Sequence, residues 1–318
     1  MTTAPDVVLS ESAPAATRDS VLRGLRGKPR TLSPTLFYDE VGSALFERIT
    51  TLEEYYLTRA ELEILRAHVH EIATLAGPRC ALIEYGSGSG TKVRLLLDAL
   101  QSPAAYTPID VSTAQLARVA AEIAADYPAV AVRPVNADYS ASFEVPDLPT
   151  RARRVAFFPG STIGNFHPTE AAAFLRRVRR VVASDGALIL GVDRRKDPRA
   201  LLAAYDDSEG VTAAFNRNIL ARLNREMGAS FDPAQFRHRA EWNDAESRIE
   251  MHLESTEPQT VRVSGESISF ERGESIWTES SYKYDRERLD RLIEEGGFQL
   301  ARLWTDSAER FWVAFLTG

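Results

Sequence analysis

The chain alternates short apolar runs with amphipathic stretches from residue 81 to residue 192. Apolar residues at helical spacing separate the runs, and each run is too short for a buried helix. The pattern predicts strands and helices, largely in alternation, at residues 81–85, 92–100, 106–109, 113–125, 130–135, 155–158, 169–183 and 187–192. Strands that are joined through helices form βαβ units, so we expect an α/β fold with a mostly parallel sheet.

The alternation stops after residue 193 and resumes near residue 286, with a helix at residues 286–295 and strands at residues 300–304 and 311–316. The intervening segment contains a polar helix and alternating strands at residues 248–254 and 260–264. We therefore predict two domains and a flexible tail. They are a doubly wound core at residues 62–195 and 286–318, a second α+β domain at residues 18–61 and 196–285, and the tail at residues 1–17.

Composition narrows the class of protein. The 318-residue chain has a formal net charge of -7, and its basic residues are scattered, which argues against nucleic-acid binding. The single cysteine forms no intramolecular disulfide, and five histidines without metal-ligand spacing predict no metal site. The sequence has no apolar run of about 18 residues and no secretion signal. We expect a cytoplasmic monomer without a nucleic-acid or membrane partner.

The first candidate site is a glycine-rich segment that reads EYGSGSGTK at residues 84–92, between a predicted strand and a predicted helix. Glycines there let the backbone turn tightly and approach a ligand at a helix N-terminus. The spacing differs from Gly-x-Gly-x-x-Gly and the segment lacks Gly-Lys-Ser/Thr, so it fits a methyltransferase better than a nicotinamide enzyme or a P-loop protein. A plain tight turn is the alternative. The candidate cofactor-binding residues are Gly86, Ser87, Gly88 and Lys92.

An acidic residue follows each of the next two predicted strands: Asp110, with Val111 after it, and Asp138, with Tyr139 after it. These four residues are further candidates for binding the cofactor. An acid at the end of the second strand can accept hydrogen bonds from both hydroxyls of a ribose. The alternative for Asp110 is an N-cap of the next helix, for which Ser112 is better placed. At the third strand, Asp138 would meet an adenine amino group and Tyr139 would cover the base. The ends of these strands share one edge of the sheet, where open α/β folds bind ligands.

The segment FFPGSTIGNF, at residues 157–166, follows the fourth predicted core strand. It contains small residues, Gly160 and Ser161, and one amide, Asn165, where a methyl group would be transferred. Gly160 and Ser161 are also candidate cofactor-binding residues. A glycine-rich loop with Asn165 as a turn residue is an equal alternative for the segment by itself.

In this context the chain closely resembles the histidine Nα-methyltransferase family of ergothioneine biosynthesis. The resemblance extends in order over nearly the whole chain from about residue 30. Besides residues 157–166, the stretches that carry it are FYDEVGS (37–43), EYYLTR (54–59), AYDD (204–207), VTAAFN (211–216), RIEM (248–251) and TESSYK (278–283). It implies a Rossmann-like class I methyltransferase core, a separate substrate domain, and S-adenosyl-L-methionine as the cofactor, with S-adenosyl-L-homocysteine as its product.

The resemblance also implies the reaction and its residues. Three methyl groups would pass in turn to the α-amine of L-histidine, giving hercynine. Tyr55, Asn165 and Tyr205 would hold the carboxylate and the amine of histidine, because phenols and an amide are uncharged donors. By the matching motifs, Glu279 and Ser281 would contact the two imidazole nitrogens. They stand two apart, so both lie on one side of a strand, which is compatible with this role.

Tyr38 and Met251 would complete the pocket, and Gly160 would leave room for the growing methylated amine. With no dedicated strong base apparent, we expect the amine proton to pass to water, while Tyr38 or Asn165 orients the nitrogen.

Two alternatives to this reaction remain open at this point. In the first alternative, the same chemistry acts on another aromatic amino acid or histidine derivative, such as a tryptophan-type or thiol-histidine compound. In the second, the chain is a non-catalytic sensor that binds S-adenosylmethionine. Single residues have structural alternatives as well. Glu279 would then be a surface carboxylate paired with Lys283 or an arginine, and Tyr55 and Tyr205 would be core aromatics.

Overall fold

The structure is a computed structural model that describes residues 17–139 and 152–318, together with residues 5 and 7–9. Its α-helices are α1 (Arg18–Arg26), α2 (Glu40–Ile49), α3 (Tyr56–Ala76), α4 (Thr91–Ala99), α5 (Thr113–Asp126), α6 (Pro168–Val182), α7 (Pro198–Tyr205), α8 (Val211–Met227) and α9 (Arg286–Glu295). Short 3-10 helices lie at Pro34–Phe37, Thr162–Asn165 and Pro233–Gln235.

Fifteen strands lie in the described ranges. They are β1 (Val8–Leu9), β2 (Arg30–Thr31), β3 (Ala81–Tyr85), β4 (Ala105–Asp110), β5 (Ala131–Val132), β6 (Val135–Asn136), β7 (Arg154–Phe158), β8 (Ala187–Asp193), β9 (Phe236–Asn243), β10 (Arg248–Ser255), β11 (Gln259–Val263), β12 (Glu266–Phe270), β13 (Ser275–Tyr282), β14 (Gln299–Thr305) and β15 (Phe311–Thr317).

The chain divides into two compact units. Among the described residues, the first unit contains residues 57–195 and 283–318 with β1, and the second contains residues 17–56 and 196–282. The predicted domain boundaries lay at residues 61/62 and 285/286, a few residues further along the chain. No helix in the described ranges is long and apolar enough to cross a membrane.

The first unit is built on one sheet in the order β1-β6-β4-β3-β7-β8-β15-β14, with β5 beside β4. Its strands pair in parallel up to β8, and β15 then runs antiparallel to both β8 and β14. Every residue of β3 and β8 is buried, as expected for central parallel strands covered on both faces. The predicted α/β fold with a mostly parallel sheet is confirmed.

Two local predictions for this unit need correction. The strand predicted at residues 130–135 is two short strands, β5 and β6, because Pro134 between them has no N–H for a ladder. The flexible tail predicted at residues 1–17 does not hold for β1, which pairs in parallel with β6. Thr17 is the N-cap of α1, and its hydroxyl accepts a hydrogen bond from Ser20 N. The rest of that tail lies largely outside the described residues.

The second unit combines a four-stranded sheet, in the order β2-β13-β10-β9, with the hairpin β11-β12. Helix α8 has one buried face of its own. On this face Phe215 stacks against Phe37, with ring centroids 4.4 Å apart. The two strands of the hairpin alternate between buried and exposed residues along most of their length, as strands covered on one face do. This α+β architecture agrees with the pattern of residues 196–285.

Candidate active site

The loop after β3 presents an open stretch of backbone at the start of α4. Gly86 and Gly88 have φ values of +76° and +49°, a region that side chains with a Cβ rarely adopt. A Cβ placed on Gly88 would meet nothing within 4 Å, so space lies beside this residue. Gly90, the N-cap of α4, supplies no side-chain cap. The loop therefore has the close-approach geometry expected of a cofactor-binding turn.

Asp110, at the end of β4, ties this loop to the neighbouring strand. Its Oδ2 accepts a hydrogen bond from Gly88 N at 3.3 Å, and its Oδ1 accepts one from Ser112 N at 3.0 Å. Burial raises the pKa of the carboxyl group, and these backbone N–H groups oppose the rise. Ser112 is the N-cap residue of α5, as the sequence argument placed it, but its side chain makes no capping hydrogen bond. Asp110 takes part of that work, since it holds the N–H of Ser112.

Asn136 is a residue that the sequence argument did not select for this edge. Its Nδ2 donates to Asp110 O at 3.0 Å and to Val111 O at 3.1 Å. The amide therefore holds the ends of β4 and β6 together, where Asp110 and Val111 were predicted to bind the cofactor. Its only signal in the sequence was its place at the end of a strand.

Ser87 provides a test of whether the loop suits a ligand. The residue is only 4% exposed, and its hydroxyl has no hydrogen-bond partner among the described residues. An unsatisfied buried hydroxyl costs about 1–3 kcal/mol, so a ligand that pairs with it is stabilised. This orphaned hydroxyl, the open side of Gly88 and the Asp110 carboxylate fit the polar groups of S-adenosylmethionine.

Tyr139 lies against the other side of the same loop. A Cβ on Gly86 would be 3.6 Å from its hydroxyl oxygen. The ring packs edge-on against Tyr85 and Phe158, with centroids 6.3 and 5.7 Å apart. Asp138 is half-buried next to it. The structure thus places the predicted adenine residues beside the glycine-rich loop, although their contacts with a base stay a prediction.

The turn after β7 carries Gly160, Ser161 and Asn165. Ser161 is buried in the left-handed region, and its Oγ accepts a hydrogen bond from Asp193 N at 2.8 Å. Asn165 ends the 3-10 helix Thr162–Asn165 and is half-buried. Gly160 N donates to both carboxylate oxygens of Glu61, at 3.0 and 2.9 Å.

Glu61 is a buried acid that the sequence argument missed. It lies on α3 with no exposure to solvent, and it accepts a hydrogen bond from Lys92 Nζ at 2.5 Å. Lys92 was predicted as a cofactor residue, and the structure gives it this intramolecular partner as well. The available signal was position: Glu61 is four residues from both Leu57 and Leu65 on the apolar side of the helix.

A second buried ion pair lies at the end of β8. Lys283 Nζ is 2.8 Å from Asp193 Oδ2, and neither side chain is exposed to solvent. The alternative that Glu279 is a surface carboxylate is wrong, because Glu279 is only 9% exposed.

In the second unit the structure brings together residues predicted to bind substrate. Tyr205 Oη lies 2.7 Å from Ser281 Oγ, and the ring of Tyr55 lies 6.5 Å from that of Tyr205. Phe46 joins Tyr55 to Tyr38, with centroid distances of 6.2 and 5.7 Å. Aromatic rings and two hydroxyls thus form one continuous cluster.

Strand register adds two more members. Met251 on β10 pairs with Glu279 on β13, and Ile249 pairs with Ser281. Directly opposite residues share a face of an antiparallel sheet, so Met251, Glu279 and Ser281 face the same side. The register shifts between Met251 and His252, and Glu279 and Ser281 are buried on either side of half-buried Ser280.

A buried polar network supports this cluster from below. His238 Nε2 lies 2.8 Å from Tyr205 O, and His238 Nδ1 lies 2.8 Å from Asn216 Nδ2. Thr278 Oγ1 donates to Asn216 Oδ1 at 2.7 Å. Burial lowers the pKa of His238 and favours the neutral ring, which suits a hydrogen-bonded structural position. Sequence spacing did not reveal this network, because its members come from two helices, α7 and α8, and from two different strands.

The prediction of no metal site rested on histidine spacing along the chain, which does not report cross-strand neighbours. In the part of the chain that the structure describes, ligand atoms of Glu241, Glu250 and His252 lie within 4.8 Å of one another. Arg239 bonds to Glu241 and Arg248 to Glu250, so two guanidinium groups already neutralise both carboxylates. The group is thus a charge network on the second unit's sheet.

Fold and site define a class of protein. Class I S-adenosylmethionine-dependent methyltransferases have a sheet in this order that ends in an antiparallel hairpin. They also have a glycine-rich loop after the strand that corresponds to β3 and an acid at the end of the strand that corresponds to β4, and this chain has both. The sequence matches the family of histidine-specific, S-adenosylmethionine-dependent methyltransferases over residues 17–317. The chain belongs to this family.

Individual relatives agree with this assignment. The chain is 42% identical over 307 residues to the histidine N-alpha-methyltransferase of Mycolicibacterium smegmatis, covering 95% of each chain. It is 43% identical over 301 residues to the enzyme of the same name from Mycobacterium tuberculosis, covering 93% of each. Among solved structures, a possible exported protein from Bordetella parapertussis is similar in fold, with a TM-score of 0.50, 14% identity and 96% coverage of both chains.

Proposed function

We propose that this enzyme transfers three methyl groups in turn from S-adenosyl-L-methionine to the α-amine of L-histidine, giving hercynine for ergothioneine biosynthesis. The observation that carries the proposal is the family match over residues 17–317, which includes both units and both residue clusters. The 42% identity to the mycobacterial histidine enzyme supports the choice of acceptor.

The first unit would hold the cofactor. Gly86, Ser87 and Gly88 would contact it through backbone and hydroxyl, and Asp110 would accept the ribose hydroxyls while Gly88 keeps its bond to the carboxylate. Asp138 and Tyr139 would bind the adenine. When bound, the cofactor supplies a methyl group on a positively charged sulfur.

The second unit would bind histidine. Tyr55 and Tyr205 are uncharged donors for the substrate carboxylate, and the hydroxyl contact between Tyr205 and Ser281 would link carboxylate binding to imidazole binding. Glu279 and Ser281, on one face of β13, would accept and donate at the two imidazole nitrogens. A site of this kind rejects analogues without the ring nitrogens, because its buried polar groups would be left unpaired.

Asn165 and Tyr38 would orient the amine, and Gly160 would leave room for added methyl groups. An α-amine titrates near pH 8, so it must lose a proton before each transfer. Water is the proposed acceptor, and the residues named here act by aligning the neutral nitrogen.

Mass spectrometry tests the proposal directly. The purified protein is incubated with S-adenosylmethionine and an equimolar mixture of amino acids that includes histidine, tryptophan and thiol-histidine. We expect a gain of three methyl groups on histidine only. Methylation of another acceptor would overturn the choice of substrate, and cofactor binding without any product would overturn catalysis. The monomeric state, the cytoplasmic location and the absence of metal, nucleic-acid and membrane partners stay predictions.

A further inference from the structure

Glu61 connects two loops of the first unit. Its Oε2 accepts a hydrogen bond from Lys92 in the first turn of α4, at 2.5 Å. Both of its oxygens accept from Gly160 N in the turn after β7. One carboxylate on α3 therefore holds the start of the helix that follows the glycine-rich loop and the turn that contains Ser161.

Burying a carboxylate at this position costs solvation free energy, which a purely structural residue would not need to incur. Glu61 is 0% exposed, and a buried carboxylate is tolerated only when charges and hydrogen bonds compensate for lost water. The contacts recorded for its side chain lead to Lys92 and Gly160, and both residues belong to the predicted cofactor set.

The neighbouring strand is shaped around the carboxylate. A Cβ on Gly191 of β8 would lie 2.1 Å from Glu61 Oε1 and 3.2 Å from Gly160 N. A side chain at residue 191 would therefore displace the carboxylate or the turn. Gly191 leaves the space that Glu61 occupies.

We propose that Glu61 is a positioning residue for S-adenosylmethionine, acting through Lys92 and Gly160; the proposal rests on the proposed function for the identity of the cofactor. An ammonium group has three N–H donors, and the bond to Glu61 uses one of them. Held in this way, Lys92 binds the carboxylate of the methionine part of the cofactor, and Gly160 keeps its turn in place beside it.

The test measures binding by calorimetry without histidine, with S-adenosylmethionine and S-adenosylhomocysteine as separate probes. In Glu61→Gln we expect both dissociation constants to rise at least about tenfold, which corresponds to about 1.4 kcal/mol. The two ligands should lose equally, because they share the carboxylate and differ in the charge on sulfur. Glu71→Gln, an exposed acid on the same helix, is the matched control and should bind like wild type.

A double-mutant cycle separates positioning from general destabilisation. Because Lys92 is one of the two residues through which Glu61 acts, adding Glu61→Gln to Lys92→Met should weaken binding clearly less than Glu61→Gln does in the wild-type protein. Additive losses, or wild-type affinity in Glu61→Gln, would overturn the proposal. A loss confined to S-adenosylmethionine would also overturn it, since that result assigns Glu61 to the sulfonium charge.

Gly191→Ala is the second variant, because it displaces the carboxylate without removing it. It should weaken the binding of S-adenosylhomocysteine by a similar factor, while the protein still unfolds cooperatively. If neither variant unfolds cooperatively, Glu61 is a folding residue and the proposal is wrong. If the wild-type protein methylates an acceptor other than histidine, the proposed function is refuted, but the result on cofactor binding still holds.

Discussion

Replacing Glu84 by glutamine should remove a pH dependence of stability that burial creates. Glu84 lies on β3, is 1% exposed, and accepts a hydrogen bond from the Tyr106 hydroxyl. Burial raises the pKa of its carboxyl group from 4.5 to about 8, although Tyr106 and Lys92 oppose the rise. Glutamine keeps an acceptor for Tyr106 but carries no titrating proton, so the pair isolates this single ionisation.

The sign follows from proton binding. Between pH 4.5 and about 8 the folded protein holds a proton that the unfolded chain has released, so stability falls as pH rises. Each pKa unit is worth about 1.4 kcal/mol, which sets an upper limit of about 5 kcal/mol for the rise from 4.5 to about 8. Relaxation and water penetration lower such penalties, so we expect a loss of about 2–5 kcal/mol.

Urea unfolding of wild type and Glu84→Gln at half-unit steps from about pH 5 to 8.5 measures the effect. The difference in unfolding free energy between the two proteins should favour wild type most at low pH and shift steadily against it as pH rises. A pH-independent difference for Glu84→Gln would refute the reasoning, because it would mean that the carboxyl ionises normally in the folded protein.

Three further predictions concern ligand binding and turnover. Asp110→Ala should weaken S-adenosylmethionine binding far more than histidine binding, since each charge-assisted hydrogen bond is worth about 1.5–3 kcal/mol; equal losses in calorimetric titrations would make Asp110 structural. Asn165→Ala should fold normally and lower kcat at least about tenfold, the factor for a lost contact of about 1.4 kcal/mol, and an unchanged rate would remove Asn165 from the site. Glu279→Ala should cost about 1–3 kcal/mol of histidine binding, leave cofactor affinity unchanged and raise relative activity on tryptophan. Retention of the full histidine preference, measured as kcat/KM for both amino acids, would show that Glu279 does not contact the imidazole.

Local pattern was sufficient where local physics decides. β3 has the predicted bounds, and α9 lies where helical spacing and the following glycines placed it. Other helices and strands of the first unit differ from prediction by one or two residues at their ends, apart from the strand that Pro134 divides and β1, which was not predicted. In the second unit the pattern did not yield α7 or β9, because short, half-buried elements carry little periodicity of their own.

The sequence by itself determined the order of the elements, the glycine-rich loop and the acid at the end of the next strand, because hydrophobic period and glycine backbone freedom are properties of neighbouring residues. The tertiary structure alone decided which charges meet. Glu61 looks like any helical glutamate until α3 packs it against Gly160, which is 99 positions away along the chain. Lys283 meets Asp193, and Tyr205 meets Ser281, for the same reason. Burial and pairing depend on the packing of distant segments, and a charge becomes a functional or a structural residue according to the partner that this packing provides.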